Sequence, residues 1–394
     1  MQRPLAGRRL WFVGIGGAGL SGYALLAHAW GAEVGGWDRV ETPYLANVRA
    51  AGIDVSIAPE PLVPDGWEAV VSSAFNVPGT SRAALLAELV SLQRSIVVAG
   101  AHGKTTTAAM IAFVLERLGL DPSFVIGGEI PQLGGNARAG EGWWLVVEGD
   151  ESDRTISSLR PEIAVVLNVD LDHHATFGSR AELQALFDAW LPDVANVVHG
   201  AELEPVAFEL RLPGEHNRRN AAAALAALEL AGVDRARAEE ALREFGGVGR
   251  RFELRGGDGV RVYDDYAHNP AKVSAALAAA RELEPRRVLV LFQPHLYSRT
   301  RHLAHELARA LSEADAVAVT DVYAAREDPV EGVTGKLVVD ALAEIRAGMP
   351  VAWTPQLEDG VRFIAGRARR GDVVLTLGAG DVDRGADLLV AELA

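Results

Sequence analysis

Two glycine-rich loops, each placed between a short apolar run and a helical pattern, constrain this chain more than any other feature. The first is Gly14-Ile15-Gly16-Gly17-Ala18-Gly19, after the apolar run 10–13. A strand–turn–helix of this form turns backbone N–H groups and a helix N-terminus toward phosphate oxygens. Asp38 closes the following strand about 20 residues on, as the dinucleotide fingerprint requires. The pattern marks a nucleotide diphosphate without saying which one. The second loop is Gly100-Ala101-His102-Gly103-Lys104-Thr105-Thr106-Thr107. It keeps the G-K-T core of a phosphate-binding loop. Val98 stands at the first-glycine position, with Gly100 in compensation. In such a loop Lys104 meets β- and γ-phosphate oxygens and Thr105 ligates Mg²⁺. A dehydrogenase explains only the first loop, and a plain ATPase only the second. Both together predict an enzyme that holds a nucleotide-linked substrate and spends ATP on it.

The rest of the chain alternates apolar runs with helical patterns, which predicts parallel α/β architecture. Three blocks emerge, at 1–96, 97–248 and 249–394. Strands are expected at 10–13, 33–37 and 69–72 in the first. The second has them at 95–98, 144–148 and 163–168, and the third at 260–263, 287–292, 316–320 and 373–377. An Ala-rich helix is expected near 220–231, and Gly246, Gly247 and Gly249 mark a hinge. The uncharged stretch 10–32 follows Arg3, Arg8 and Arg9, as in a signal or anchor segment. Six glycines and His28 break it, so it reads as strand, turn and helix.

Composition narrows the chemistry. The 394 residues carry 53 acidic and 38 basic side chains, a net charge of −15, which argues against a nucleic-acid partner. The absence of cysteine excludes disulfides, thiol catalysis and Cys-ligated metals and fits a reducing, cytoplasmic setting. Lys104, Lys272 and Lys336 are the only lysines, so each is a candidate for work that arginine does differently.

Acidic and histidine clusters follow two of the expected strands. Glu148-Gly149-Asp150-Glu151-Ser152-Asp153 ends one, and Asn168-Val169-Asp170-Leu171-Asp172-His173-His174 the other. As neighbouring parallel strands they would project both clusters at one carboxyl edge beside the second loop, where α/β sheets bind ligands. Hard oxygen ligands suit Mg²⁺. A third set, Gly214-Glu215-His216-Asn217, opens the Ala-rich helix. Asn217 is either a helix cap or, with His216, a reader of an adenine edge.

These stretches, with Ser72-Ser73, Arg250-Arg251-Phe252, Asp264–Pro270, Gln293–Thr300, Asp321–Ala325 and Gly378–Asp381, resemble the Mur ligases in order and spacing over nearly the whole chain. The resemblance is strongest to the branch that adds L-alanine to UDP-N-acetylmuramate in peptidoglycan precursor synthesis. It implies a Rossmann-like domain for the UDP-sugar (1–96), a phosphate-loop ATPase domain (97–248) and a Rossmann-like domain receiving the amino acid (249–394). By resemblance Gly14, Gly16, Gly17, Gly19, Asp38, Ser72 and Ser73 hold the UDP-sugar. Gly100, His102, Gly103, Lys104, Thr105, Thr106, His216, Asn217, Arg251 and Asp265 hold ATP, and Thr105, Glu151 and His173 the Mg²⁺. Lys104, Arg251, His268, His295 and Arg299 serve the reaction. The implied enzyme makes an acyl phosphate that alanine's amine displaces, with His268 or His295 as base. Closure of the last domain excludes water. No membrane partner is implied, and the protein is expected as a monomer or weak homodimer. Three positions depart from the pattern: Asn269 where His is common, Leu296 where Arg is common and Ala101 where Thr is common. The interval from Asp172 to Gly214 is short for the family. No lysine lies between Lys104 and Lys272, so the carbamylated lysine of some relatives has no counterpart. The competing readings are a ligase of a peptide, glycine or serine on the same sugar nucleotide, a non-catalytic nucleotide-binding regulator, and an NAD-dependent oxidoreductase.

Overall fold

Continuous apolar runs such as Ile96-Val97-Val98 and Val288–Phe292 are fully buried, as strands covered on both faces must be. They build three sheets in a computed structural model that describes residues 3–151, 153–170, 176–325 and 327–394. The first sheet is parallel throughout, in the order Asp54–Ile57, Glu33–Asp38, Arg9–Val13, Glu68–Val71, Thr80–Ser81. Strand order reverses beside Arg9–Val13, and the crevice at such a reversal is where parallel sheets take ligands. Gly14 and Ser72 follow the two strands that flank it.

The second sheet runs Asn196–His199, Ile163–Val166, Arg94–Ala99, Trp144–Glu148, Ser123–Ile130, Gly135–Arg138. Only the last pair is antiparallel. The strands at 144–148 and 163–166 are therefore not neighbours, as the sequence had suggested. Arg94–Ala99 lies between them and pairs with both. All three run parallel, so the acidic run and Asn168 flank the second glycine loop from its two sides. The strand from Ile163 also stops at Val166, two residues earlier than expected.

The third sheet runs Glu253–Gly256, Arg261–Asp265, Val373–Leu377, Val288–Phe292, Ala316–Val319, Val351–Trp353, with only the first pair antiparallel. The α/β reading holds, and the strands fall into three sheets. The chain forms two compact units: Met1–Arg211 with Arg218–Gly246, and Leu212–Asn217 with Gly247–Ala394. The first carries two sheets and the second carries one. The division falls between Gly246 and Gly247, within the glycine cluster. The Ala-rich helix is longer than expected, Glu215–Leu230. Among the described residues no helix is long and apolar enough to cross a membrane.

Within the first unit, the helix Ala18–Ala29 that follows the first loop packs on the strands Ser123–Ile130 and Gly135–Arg138 of the second sheet. Gly22 sits at that contact. A Cβ there would lie 2.5 Å from Val125 Cγ1 and 3.0 Å from the Ala137 Cβ. Asn136 reinforces it, its Nδ2 donating to the Ala18 carbonyl at 3.2 Å. Overpacking a tight interior costs about 1–3 kcal/mol. Gly22→Val is therefore expected to lower the unfolding free energy by that amount, read as a lower midpoint at unchanged slope in a urea titration. An unchanged midpoint would show that the contact yields.

Candidate active site

The first loop is braced by its own chain. Gly14 has φ +88°, and a Cβ on it would lie 2.7 Å from the Phe75 ring and 2.9 Å from Ser72 Cβ. Only glycine fits the approach of the two strand ends. The Gly16 N–H donates to Asp38 Oδ2 at 2.8 Å, and Arg39 N–H donates to Oδ1 at 2.7 Å. Thr42 Oγ1 donates to the Gly16 carbonyl at 2.8 Å. The buried Asp38 carboxylate thus shapes the loop through backbone N–H groups. Gly17 is the N-cap of the helix and Gly19 lies in its first turn. Ser72 Oγ accepts from Ala74 N–H, and Ser73 is exposed.

The second loop follows the strand Arg94–Ala99 and opens the helix Lys104–Arg117, which is buried from Thr105 to Leu115. Gly100 (φ +132°) and Gly103 (φ +84°) take backbone conformations that side chains avoid. A Cβ on Gly103 would meet Asn220 Oδ1 at 2.4 Å. Asn168 clamps the loop like a neighbouring strand. His102 N–H donates to its Oδ1 at 3.0 Å, and its Nδ2 donates to the His102 carbonyl at 3.0 Å. This clamp ends the strand at Val166 and stabilises a loop that lacks the usual first glycine.

Lys104 Nζ donates to Glu151 at 2.9 and 3.0 Å and to the Gly100 carbonyl at 2.6 Å. Glu151 is almost fully buried, and the Lys104 side chain is 17% exposed. Burial pulls the ammonium pKa down, but Glu151, Asp150 and Glu148 outweigh it, so it stands above the usual lysine value. Thr105 Oγ1 donates to Glu148 Oε2 at 3.1 Å, and Gly127 N–H donates to Glu148 Oε1 at 2.5 Å. Thr106 is buried in the same turn. His173 lies outside the described residues.

The second unit gathers another set at the carboxyl edge of its sheet. Asp265 ends the strand Arg261–Asp265 and accepts from Phe252 N–H at 2.8 Å. Burial pushes its pKa up to about 6 against the pull of Arg251. The Arg251 guanidinium lies 4.6 Å over the Tyr266 ring. Its neighbour Arg250 holds the edge together, donating to Asp264 and to the carbonyls of Gly378 and Gly380. His268 Nδ1 donates to the Tyr266 carbonyl at 2.8 Å, and its Nε2 faces Lys272 Nζ at 3.5 Å. Its ring centroid is 5.8 Å from that of His295, which stacks on Tyr323. Arg299 Nη1 donates to His295 Nδ1 at 3.1 Å.

Two of the departures acquire physical content. Asn269 is the N-cap of the helix Pro270–Glu282, accepting from Lys272 N–H at 2.9 Å ahead of a proline at the first helical position. Leu296 has φ +70° between His295 and the helix Tyr297–Leu311, a conformation costly for a branched residue. Asn217 is not a cap. The helix already begins at Glu215, and Asn217 in its first turn donates to the Pro213 carbonyl at 2.7 Å. His216 packs against Gly214, whose φ is +102°.

The geometry thus brings Gly100, His102, Gly103, Lys104, Thr105, Thr106 and Glu151 into one cluster, and Arg251, Asp265, His268, His295 and Arg299 onto one edge. Glu148, Asn168 and Arg250 had no assigned role in the sequence, although each stands in a stretch that carried the resemblance. Models of three Mur ligase domains match this chain: the family catalytic domain over 9–94, the middle domain over 98–189 and the glutamate ligase domain over 250–380. The chain belongs to the Mur ligase family. The UDP-N-acetylmuramate–L-alanine ligase of Streptomyces coelicolor is 39% identical, with 96% of each chain covered. That of Desulforamulus reducens is 34% identical, with 97% of each covered. The first alignment runs to 449 positions, so this Mur ligase lacks segments that its relative carries. The crystal structure of a UDP-N-acetylmuramate–alanine ligase from Thermotoga maritima superposes with a TM-score of 0.81 at 29% identity, covering 97% of this chain and 98% of that one. A murein peptide ligase from Psychrobacter arcticus shares the fold, with a TM-score of 0.64 at 22% identity over 98% and 99% of the two chains.

Burial, with the nearby Arg299 charge, holds the His295 imidazole down to about 4 from 6.5. Between those values the unfolded chain takes a proton that the folded one refuses, so this group weakens folding as pH falls from 6.5 toward 4. An NMR titration is expected to place the His295 midpoint near 4, and Arg299→Met to raise it partway, since burial is the larger cause. A midpoint near 6.5 would remove the basis for a neutral His295.

Proposed function

We propose that this Mur ligase joins L-alanine to UDP-N-acetylmuramate, with ATP converted to ADP and phosphate, in the cytoplasmic part of peptidoglycan precursor synthesis. The observation that carries the amino acid and the sugar is its likeness to ligases of that name along nearly the full length of both chains. The chemistry is supported by the second loop, where a buried carboxylate holds a lysine against the loop backbone. In this reading residues 1–96 take the UDP-sugar, 97–248 take ATP, and 249–394 receive alanine.

The lactyl carboxylate of the sugar nucleotide attacks the γ-phosphate, and ADP leaves. Lys104 and the N–H groups of the helix it opens neutralise charge that spreads over the transferring phosphoryl group. Thr105, Glu148 and Glu151 offer the hard oxygens that Mg²⁺ takes, and Thr105 and Glu151, with His173, are the proposed ligands. Bound there, the ion supplies further charge neutralisation at the phosphates. Alanine's amine then attacks the acyl phosphate, and phosphate leaves from a tetrahedral intermediate. The two histidines suit different parts of this step. His268 carries its proton on Nδ1, so Nε2, with Lys272 Nζ 3.5 Å away, is the nitrogen that would accept a proton from the amine. His295 accepts from Arg299 at Nδ1, so its proton sits on Nε2 and is available to the developing oxyanion. Arg251, Asp265, His216 and Asn217 are assigned to the nucleotide, as the resemblance implies.

Phosphate release by the purified protein is expected to require ATP, Mg²⁺, UDP-N-acetylmuramate and L-alanine together. Release with glycine, L-serine or a peptide but not alanine would reassign the acceptor. Absence of release with all of them would favour a non-catalytic regulator. Lys104→Ala is expected to lower turnover by about a hundredfold or more while UDP-sugar binding stays near wild type. Equal loss of both would contradict the division of roles between the two loops.

A further inference from the structure

Arg82 opens the helix Arg82–Leu92, and no motif in the sequence singles it out. Its guanidinium lies between the first glycine loop and the acidic run that follows Trp144–Glu148. Through Nη2 it pairs with Asp150 at 3.4 Å and Asp153 at 3.2 Å, the acids on either side of Glu151 in the run beside Lys104. Through Nη1 it faces the first loop: a Cβ built on Gly19 would stand 3.4 Å from that nitrogen. The side chain is about three-quarters covered, 27% exposed. Tyr23, one turn beyond Gly19, feels the same charges. Burial and the acids push its hydroxyl up to about 12 against the pull of Arg82.

The charge balance around the first loop gives this arrangement a purpose. Asp38 already places a carboxylate under the loop, and Asp150 and Asp153 approach from the second sheet. A diphosphate at the helix N-terminus meets that negative field, and backbone N–H groups offset it only in part. A guanidinium has five donors in a rigid fork, so two carboxylates can orient one edge while the other stays directed at phosphate oxygens. Resting on the assignment of the first loop to the UDP-sugar, we propose that Arg82 is a binding residue for the substrate's diphosphate, pre-oriented by Asp150 and Asp153. A Cβ at position 19 would be in ordinary contact with Nη1, so only side chains larger than alanine would crowd it.

The test is binding of UDP-N-acetylmuramate, UDP and UMP by calorimetry to wild type, Arg82→Gln and Arg82→Lys, with thermal melting as a check on folding. Wild type is expected to prefer UDP over UMP. Arg82→Gln is expected to cut that preference, and the affinity for UDP-N-acetylmuramate, by about tenfold or more, with UMP changed less than about threefold. Arg82→Lys should retain part of the preference as a point charge. A purely structural role would weaken all three ligands alike in Arg82→Gln, and that result overturns the proposal, as does an undiminished UDP preference in the folded variant. Should Arg82→Gln not fold, Arg82→Lys decides between the same outcomes. A wild type that binds neither UDP nor UMP would instead remove the assignment of the first loop, and the proposal with it.

Discussion

The buried pair of Lys104 and Glu151 organises the carboxyl edge of the second sheet. An ammonium and a carboxylate with so little exposure are tolerated only when each is the other's partner and the remaining donors are used. Here the ammonium also donates to the Gly100 carbonyl, which closes the loop on itself. Removing either partner from a buried pair leaves an uncompensated charge at a cost of about 3–5 kcal/mol. The acidic run on which Glu151 stands is also held by its own turns, Arg154 N–H donating to the Glu151 carbonyl at 3.0 Å and Thr155 N–H to Asp153 Oδ1 at 3.0 Å. Asp150 and Asp153 then hold Arg82, and Arg82 lies against the first loop. The acidic run thus has one member on Lys104 and two on Arg82, each pair standing on its own contacts.

The three sheets share one device. The parallel strands that carry the candidate site run into glycine or polar residues, and these fall at the carboxyl edge. Gly14 and Ser72 do so in the first sheet, the Lys104 loop, Glu148 and Asn168 in the second, and Asp265, the Gln293–His295 stretch and Gly378 in the third. Strand order puts the loop-bearing strand of the second sheet between two others, so an acid comes from one side and an amide clamp from the other. The clamp holds the loop's shape where the usual first glycine is missing. The Asn168 side chain makes the two backbone hydrogen bonds that a neighbouring strand would have made.

Much of this was legible in the sequence, and the illegible part has physical causes. Strands such as Trp144–Glu148 and Val373–Leu377 matched their expected bounds because hydrophobic runs end abruptly at glycine or charge. The glycine loops were legible because their backbone demands leave few residue choices. Strand order was not, since a run of Val and Ile carries no record of its neighbour, and Arg94–Ala99 lies between the two strands that end at Glu148 and Val166. Nor was the role of Asn217, because the helix starts one residue after Gly214 instead of at the asparagine. Arg82 had no signal at all, since one arginine at a helix start is unremarkable until the acids from another sheet are found beside it. The site assignments rest on resemblance.

The central claim is that ATP activates the carboxylate of the sugar nucleotide, and one label transfer tests it. UDP-N-acetylmuramate with heavy oxygen in the lactyl carboxylate, turned over with ATP, Mg²⁺ and L-alanine, should deliver one heavy oxygen to each phosphate released, read by mass spectrometry. The label reaches phosphate only through an acyl phosphate. Phosphate released without heavy oxygen, alongside formed amide, would contradict the account.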